Sequence, residues 1–383
     1  MKMLNTWRQG LLGSCLLALI LGFSGSRPAH AEALVIGQSV PLSGVLASTG
    51  KAMALGVRLA IDAANAAGGV GGRTLTHVVK DDGYQTAETV RLTHELIRRD
   101  KAVALIGYAG TGNIAELLKH GVLADGNIAL IAPYTGGEPL RSPYNPWIFH
   151  IRASYGDETE AMVRQFVASG LQRIAVFYQN DPFGQAGLAG VERALEKHKL
   201  KIVSKGSYEK NTEDVAAAVR DIAAGAPQAV IMIGVVRPTA AFVKAYQPVS
   251  PGTQLFSISV VNGRELHQLA GGDAARGVGI TQVMPSPFSG VTRIARDYNA
   301  ALQRFAPGEE PSYTSFEEYV GARVLIEAIR RTKGTPTPAT VMQSLENLDV
   351  DLGGFQVRFG HGNRIGSQRV EVTLLGRDGQ HLR

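Results

Sequence analysis

Residues 103–136 read VALIGYAGTGNIAELLKHGVLADGNIALIAPYTG. Val103–Gly107 (VALIG) and Ile128–Ile131 (IALI) are continuous apolar runs, the pattern of parallel strands covered on both faces. Each run ends in a glycine-containing turn, Gly107-Tyr108-Ala109-Gly110-Thr111-Gly112 and Ala132-Pro133-Tyr134-Thr135-Gly136-Gly137, and a helix opens after the first at about Asn113. Strand, turn, helix and strand in this order define one unit of a doubly wound parallel sheet.

The same alternation continues upstream. Leu34–Val40 is a strand, and the helix over 50–67 carries Met53, Val57, Ala60, Ile61 and Ala64 at helical spacing. A strand over 75–80 and a helix over 87–99, with Val90, Leu92, Leu96 and Ile97 inward, lead into Val103. Downstream the pattern restarts. Strands are predicted over 148–151, 173–177, 201–207, 229–233, 255–258 and 278–282, with helices over 158–169, 186–199 and 214–223 between them. Two such sheets exceed one core, so the chain is read as two α/β lobes. Helices over 292–305, 316–332 and 340–347 and strands over 355–359 and 370–374 follow, and spacing alone leaves their lobe open. Pro143–Pro146 and Met284–Pro287 are the candidate chain crossings.

Composition bounds the function. The 383 residues are 45% apolar and 19% charged, a globular balance, and one Cys excludes a disulfide framework or a cysteine zinc site. Met1–Ala31 reads as a secretory leader: Lys2 and Arg8, the apolar run Leu11–Phe23, and Ala29-His30-Ala31 as the cleavage site. A membrane anchor, or lipid attachment through Leu12-Gly13-Ser14-Cys15, are the alternatives. The segment holds the Cys and, with Lys2, Arg8 and Arg27, three charges of the formal +6. No Lys/Arg cluster interleaves with aromatics, so no nucleic-acid partner is expected, and no membrane insertion of the mature chain. Monomer is the expected state.

Catalytic signatures are absent from the sequence: it contains no HExxH, GxSxG or GxxxxGK[ST] and no Asp/Asn-rich calcium loop. No cofactor or metal is expected. His94, His120, His150, His198 and His267 each stand alone, and Asp81-Asp82 is either an acid/base pair or a cap for the next helix. Binding signals are better. At Gly107–Gly112 the Thr111 hydroxyl and the N–H groups of Thr111 and Gly112 suit a small carboxylate, because a helix N-terminus favours negative charge. The alternative is a tight turn with Thr111 as N-cap. Ligands of open α/β sheets sit beyond the carboxyl ends of the strands, where this turn, the Tyr134 turn and Ser43–Gly50 converge.

With these residues in view, the chain resembles the periplasmic solute-binding proteins of ABC uptake systems for branched-chain amino acids, the leucine-binding-protein-like group. Pro41-Leu42-Ser43-Gly44, Asn65–Arg73 (NAAGGVGGR), Asp81-Asp82, Ile131-Ala132-Pro133, Asn180–Gly184 (NDPFG) and Pro311-Ser312-Tyr313 carry the likeness, in this order along the chain. The resemblance implies two doubly wound Rossmann-like lobes joined by three hinge crossings, the type I periplasmic binding protein architecture. One lobe would take 32–151 and 284–350, the other 152–283 and 351–383. It implies a small carboxylate ligand in the cleft and an inner-membrane ABC permease as partner. The carboxylate would be held by Thr111, Gly112 and the Tyr134-Thr135-Gly136 turn. Phe183 and Tyr155 would cover the ligand, Phe288 would touch its side chain, and Ser48 or Thr49 stands where a loop aromatic is usual.

The departures from the family shape the expected ligand. The group's amino-acid binders carry an acidic residue for the ligand ammonium at the position of Ser259, which here precedes Val260 and Val261. An aromatic expected after Ile231–Gly234 is replaced by Val235, Val236 and Arg237. Arg237 precedes Pro238 at a helix start, either meeting an anion or pointing into water. A branched or aromatic carboxylic acid, or an amide, therefore suits the site as well as an amino acid. The same clamp would serve a receptor feeding a chemoreceptor or histidine kinase, and a secreted hydrolase is the third reading.

Overall fold

The computed structural model describes residues 32–382, so the expected leader at Met1–Ala31 lies outside the described residues. Strands β1 (Leu34–Val40), β2 (Leu75–Asp81), β3 (Ala104–Ile106), β4 (Leu130–Ile131) and β5 (Ile148–Phe149) form a parallel sheet of order β2-β1-β3-β4-β5. Helices α1 (Ala47–Ala66), α2 (Thr86–Arg98), α3 (Thr111–Lys119) and the short α4 (Val122–Asp125) connect them. The apolar runs at β3 and β4 are buried on both faces. Leu105 and Leu130 pack with Leu96, Ile114 and Leu117, while Ile106 and Ile131 pack with Val57 and Ile61.

The second sheet is built from β6 (Ile174–Gln179), β7 (Lys205–Tyr208), β8 (Ala229–Ile233), β9 (Gln254–Ser257) and β10 (Gly279–Gln282). Helices α5 (Tyr155–Ala168), α6 (Pro182–Glu196), α7 (Ala216–Ala224), α8 (Val236–Tyr246), α9 (Gly263–Ala270) and α10 (Gly272–Ala275) accompany it. The chain then returns to the first lobe through α11 (Arg293–Phe305), α12 (Tyr313–Arg331) and α13 (Pro338–Glu346), whose Tyr298, Phe316 and Val341 share a core with Val57 and Phe149. Strands β11 (Asp349–Asp351) and β12 (Gln356–Arg358) form a hairpin, and β13 (Glu371–Leu375) and β14 (His381–Leu382) close the second sheet. Its order is β14-β13-β10-β9-β8-β6-β7, with β13 and β14 antiparallel.

Two sequence expectations change here. Pro143–Pro146 precedes β5 of the first sheet, so it is no crossing; the chain passes between lobes at 150–154, from β5 into α5. The resemblance implies that the strand over 355–359 belongs to the second lobe, yet Phe355, Val357 and Phe359 pack into the first lobe's core, and Phe149 meets Phe359 edge-on at 5.2 Å. The final passage follows that hairpin. It runs beside the first one: His150 N donates to Arg364 O and Gly366 N to His150 O, both at 2.8 Å.

Candidate functional site

Each lobe delivers site residues at helix starts, and those of the second lobe are capped by side chains. Asp181 caps α6, accepting from Phe183 N at 2.9 Å and Gly184 N at 3.1 Å, with Pro182 pre-set at the first helical position. Gly184 is required by close approach, because a Cβ there would stand 1.8 Å from Gln179 O. Ser154 and Asp157 form a capping box that starts α5 at Tyr155. In the first lobe Gly110 takes φ 95° against the Tyr84 ring and opens α3, a conformation open to glycine at little cost.

These turns face one another at the carboxyl ends of both sheets. Leu46, Thr49, Tyr84, Ala109, Gly110 and Tyr134 from the first lobe and Tyr155, Phe183, Val235 and Val260 from the second line a small cavity between them, and none of them is charged. The space left is about 20 Å³, little more than one water needs. One apolar cluster runs across it from Val40 and Met53 to Val191 and Ile231.

Polar contacts hold the lobes together around that cavity. Lys210 Nζ donates to Asn113 Oδ1 at 2.8 Å and sits 3.9 Å over the Tyr84 ring. Gln179 Nε2 donates to the Tyr84 hydroxyl at 3.3 Å. Glu138 of the first lobe accepts from Gly156 N and lies 3.3 Å from Arg193. Burial pushes the Glu138 carboxyl up and the Lys210 ammonium down from their ordinary values.

Of the sequence-derived candidates, Thr49, Tyr134, Tyr155 and Phe183 line the cavity. Thr111 and Thr135 are buried next to Ala109 and Tyr134, with their hydroxyl oxygens 2.7 Å apart. Gly136 accepts from Tyr155 N at 2.8 Å, and Gly112 packs on Pro182, where a Cβ would stand 3.4 Å away.

Five candidates lie elsewhere. Ser48 donates to Glu265 at 2.6 Å and bridges the lobes outside the cavity. Val236 is buried in the second lobe's own core, so Val235 takes the lining position. Arg237 is exposed and paired with Glu213 at 2.6 Å, in the solvent that its helix-start position favours. Phe288 lies in a separate open groove of about 1360 Å³, against Tyr313 and His381. Ser259 is buried behind Val260, its N–H donating to Glu158 Oε2 at 2.7 Å. Asp81 and Asp82 hold the β2 turn: Asp81 accepts from Leu42 N and Gly83 N, Asp82 from Ser39, Thr89 and Tyr84 N.

Sequence reading missed Tyr84, Arg152 and Glu158. Tyr84 follows β2 at the same sheet edge as the other loops, and that rule was the available signal. Arg152 is fully buried, 3.2 Å from Glu158 Oε1 and 3.4 Å from Glu317 Oε1, and donates to Ser259 Oγ. Burial opposes its charge, but Glu317 and Glu158 outweigh that and hold its pKa above the ordinary value.

Two parallel-sheet lobes closing on a cavity at the carboxyl ends of their strands define a hinged binding protein, the type I periplasmic binding protein fold. The chain belongs to the periplasmic binding protein family, whose sequence profile matches residues 33–380. It is 25% identical over 375 residues to Leu/Ile/Val-binding protein homolog 7 of Brucella abortus, spanning 92% of this chain and 90% of that protein. A substrate-binding periplasmic protein from Ralstonia solanacearum superposes with a TM-score of 0.88 at 37% identity, over 91% of this chain and 99% of that one. A possible leucine/isoleucine/valine-binding protein from Rhodopirellula baltica gives 0.88 at 30%, over 94% and 98%.

Proposed function

We propose that this chain is an exported, periplasmic substrate-binding component of an ABC uptake system, freed of its leader after Ala31. It closes its lobes on a small carboxylate-bearing molecule and passes it unaltered to an inner-membrane permease. The observation that carries the reading is the meeting of two sheet edges, walled by Tyr84, Tyr134, Tyr155 and Phe183 with no charged lining residue, around a space of about 20 Å³ that has to widen, by the lobes parting, to admit such a ligand. The carboxylate is assigned to the start of α3, beside the lining residue Gly110, where Thr111 and Gly112 open the helix and the Thr111 hydroxyl meets that of Thr135. Closure excludes water and strengthens each of those contacts. The uncharged wall favours branched or aromatic acids over amino acids, since a buried ammonium without a partner costs several kcal/mol.

Proteins that share only the fold carry ligands of both kinds. One from Streptococcus pneumoniae holds isoleucine at 21% identity, and one from R. palustris holds benzoate at 19%. Mass spectrometry of ligand co-purified from the periplasm, followed by calorimetric titration, tests the reading. The expected result is a carboxylic acid bound with micromolar or better affinity, roughly −8 kcal/mol or more. Conversion of the bound compound into product would overturn it, as would a neutral, carboxylate-free ligand.

A further inference from the structure

Arg152 lies in the passage from β5 to α5 and is fully buried, its guanidinium carbon 5.2 Å from the centre of the Tyr134 ring. Tyr134 lines the ligand cavity. Glu158 stands one helical turn after Tyr155, another lining residue, and so shares its helix face. Its backbone partner Ser259 directly precedes the lining residue Val260. Glu158 is thus a fully buried carboxylate adjoining two elements of the cavity wall, the Tyr155 helix start and the Ser259-Val260 turn.

That carboxylate is already committed. Oε1 faces Arg152 Nη2 at 3.2 Å, and Oε2 accepts from Ser259 N at 2.7 Å and from Thr281 Oγ1 at 2.5 Å. Arg152 in turn donates to Ser259 Oγ and faces Glu317 of the first lobe at 3.4 Å. An arginine keeps its charge throughout the accessible pH range. A buried ion pair opened by removing one partner leaves the other charge stranded. A ligand ammonium that turned to Glu158 would have to displace this guanidinium.

We propose that Arg152 is the specificity-determining residue of the site: it serves as a built-in cation that satisfies Glu158 and so excludes ligands bearing an α-ammonium. This rests on the carboxylate reading above and gives it a residue. The selected class is monocarboxylic acids with an apolar tail and no amino group.

Two matched pairs test it, leucine with 4-methylpentanoate and phenylalanine with 3-phenylpropanoate, each titrated calorimetrically against the full mature chain. In the unmodified protein the acid is expected to bind at least about tenfold tighter than its amino acid. A preference for the amino acids there overturns the carboxylate reading itself. Arg152→Met combined with Glu317→Gln frees Glu158, and is expected to move the ratio toward the amino acid by at least about tenfold. Arg152→Met with Glu158→Gln removes the freed carboxylate as well, and is expected not to make that move. Arg152→Lys keeps the cation and should retain the preference for acids. A purely structural Arg152 would weaken both members of each pair alike. An unchanged ratio in the folded Arg152→Met/Glu317→Gln protein, the same shift in both double variants, or a tenfold shift in Arg152→Lys overturns the assignment to Arg152 while leaving the carboxylate reading standing.

Discussion

Thr111 Oγ1 and Thr135 Oγ1 lie 2.7 Å apart, joining the turn after β3 to the turn after β4, and Thr135 Oγ1 also accepts from Gly137 N at 3.1 Å. Thr111→Val removes one hydroxyl but leaves Thr135 with a partner. A neutral hydrogen bond contributes about 1 kcal/mol to stability, and one to a charged group about 1.5–3. Ligand affinity is therefore expected to fall roughly tenfold to a hundredfold, and the melting temperature of the unliganded protein to move by no more than about 3 °C. Calorimetric titration and a thermal melt of the same preparation check both halves. Retained affinity removes Thr111 from the site.

Phe183 meets Tyr155 edge-on, ring centres 5.4 Å apart at 65°, and both rings face first-lobe residues across the cavity. Aromatic pairs of this geometry add about 0.5–1.5 kcal/mol beyond the area they bury. Phe183→Ala is expected to weaken binding at least about tenfold, chiefly through faster ligand release, because the ring covers the ligand only once the lobes close. Stopped-flow dissociation rates read this directly; an unchanged release rate would take Phe183 out of the lid.

What the sequence made legible followed locality. The strand at Leu34–Val40 is legible to the residue because Leu34-Val35-Ile36 opens it and Val40, followed by Pro41, which cannot donate to a ladder, ends it. Helix starts lie ahead of the periodicity that signals them: α1 begins at Ala47, α5 at Tyr155 and α6 at Pro182, each at least three residues before the helices that apolar spacing predicts over 50–67, 158–169 and 186–199. Caps such as Ser154 and Asp181 open α5 and α6 before any periodicity shows. Those first turns carry Tyr155 and Phe183, so the delay fell on the site itself. Sheet-edge logic gathered Thr49, Thr111, Tyr134 and Thr135 correctly around one edge, because it depends only on strand order. It could not supply Arg152, whose partners Ser259, Thr281 (through Glu158) and Glu317 lie more than a hundred residues away. Nor did it show that Phe288 and Arg237 turn outward, which only packing decides.

Those two outward residues give a negative prediction. Arg237 is paired with Glu213 at the surface, and Phe288 is 45% exposed in its own groove. Arg237→Gln and Phe288→Ala are each expected to leave ligand affinity within about threefold. A tenfold loss in either would place that side chain against the ligand, contrary to the geometry.

Glu317 gives the pH dependence. It is buried on α12 with Glu318 beside it, faced by Arg152, and burial lifts its pKa from 4.5 to about 7, Arg152 opposing the rise and Glu158 adding to it. Burial also raises the Glu318 carboxyl well above its ordinary value. Between pH 4.5 and 7 the folded chain therefore holds a proton at Glu317 that the unfolded chain has lost. Stability from this group is full at or below pH 4.5 and declines as pH rises toward 7, a change of up to about 3 kcal/mol. His77, whose pKa burial and Arg58 lower to about 4, acts in the opposite sense: its contribution is lost as pH falls from 6.5 to 4. The two are separated by substitution. Glu317→Gln is isosteric with the protonated acid, so its melting temperature relative to the unmodified protein is expected to rise between pH 5 and pH 8. Melts at those two values read the difference, and a relative melting temperature that stays flat or falls would show that Glu317 is ionised already at pH 5, its charge held by Arg152.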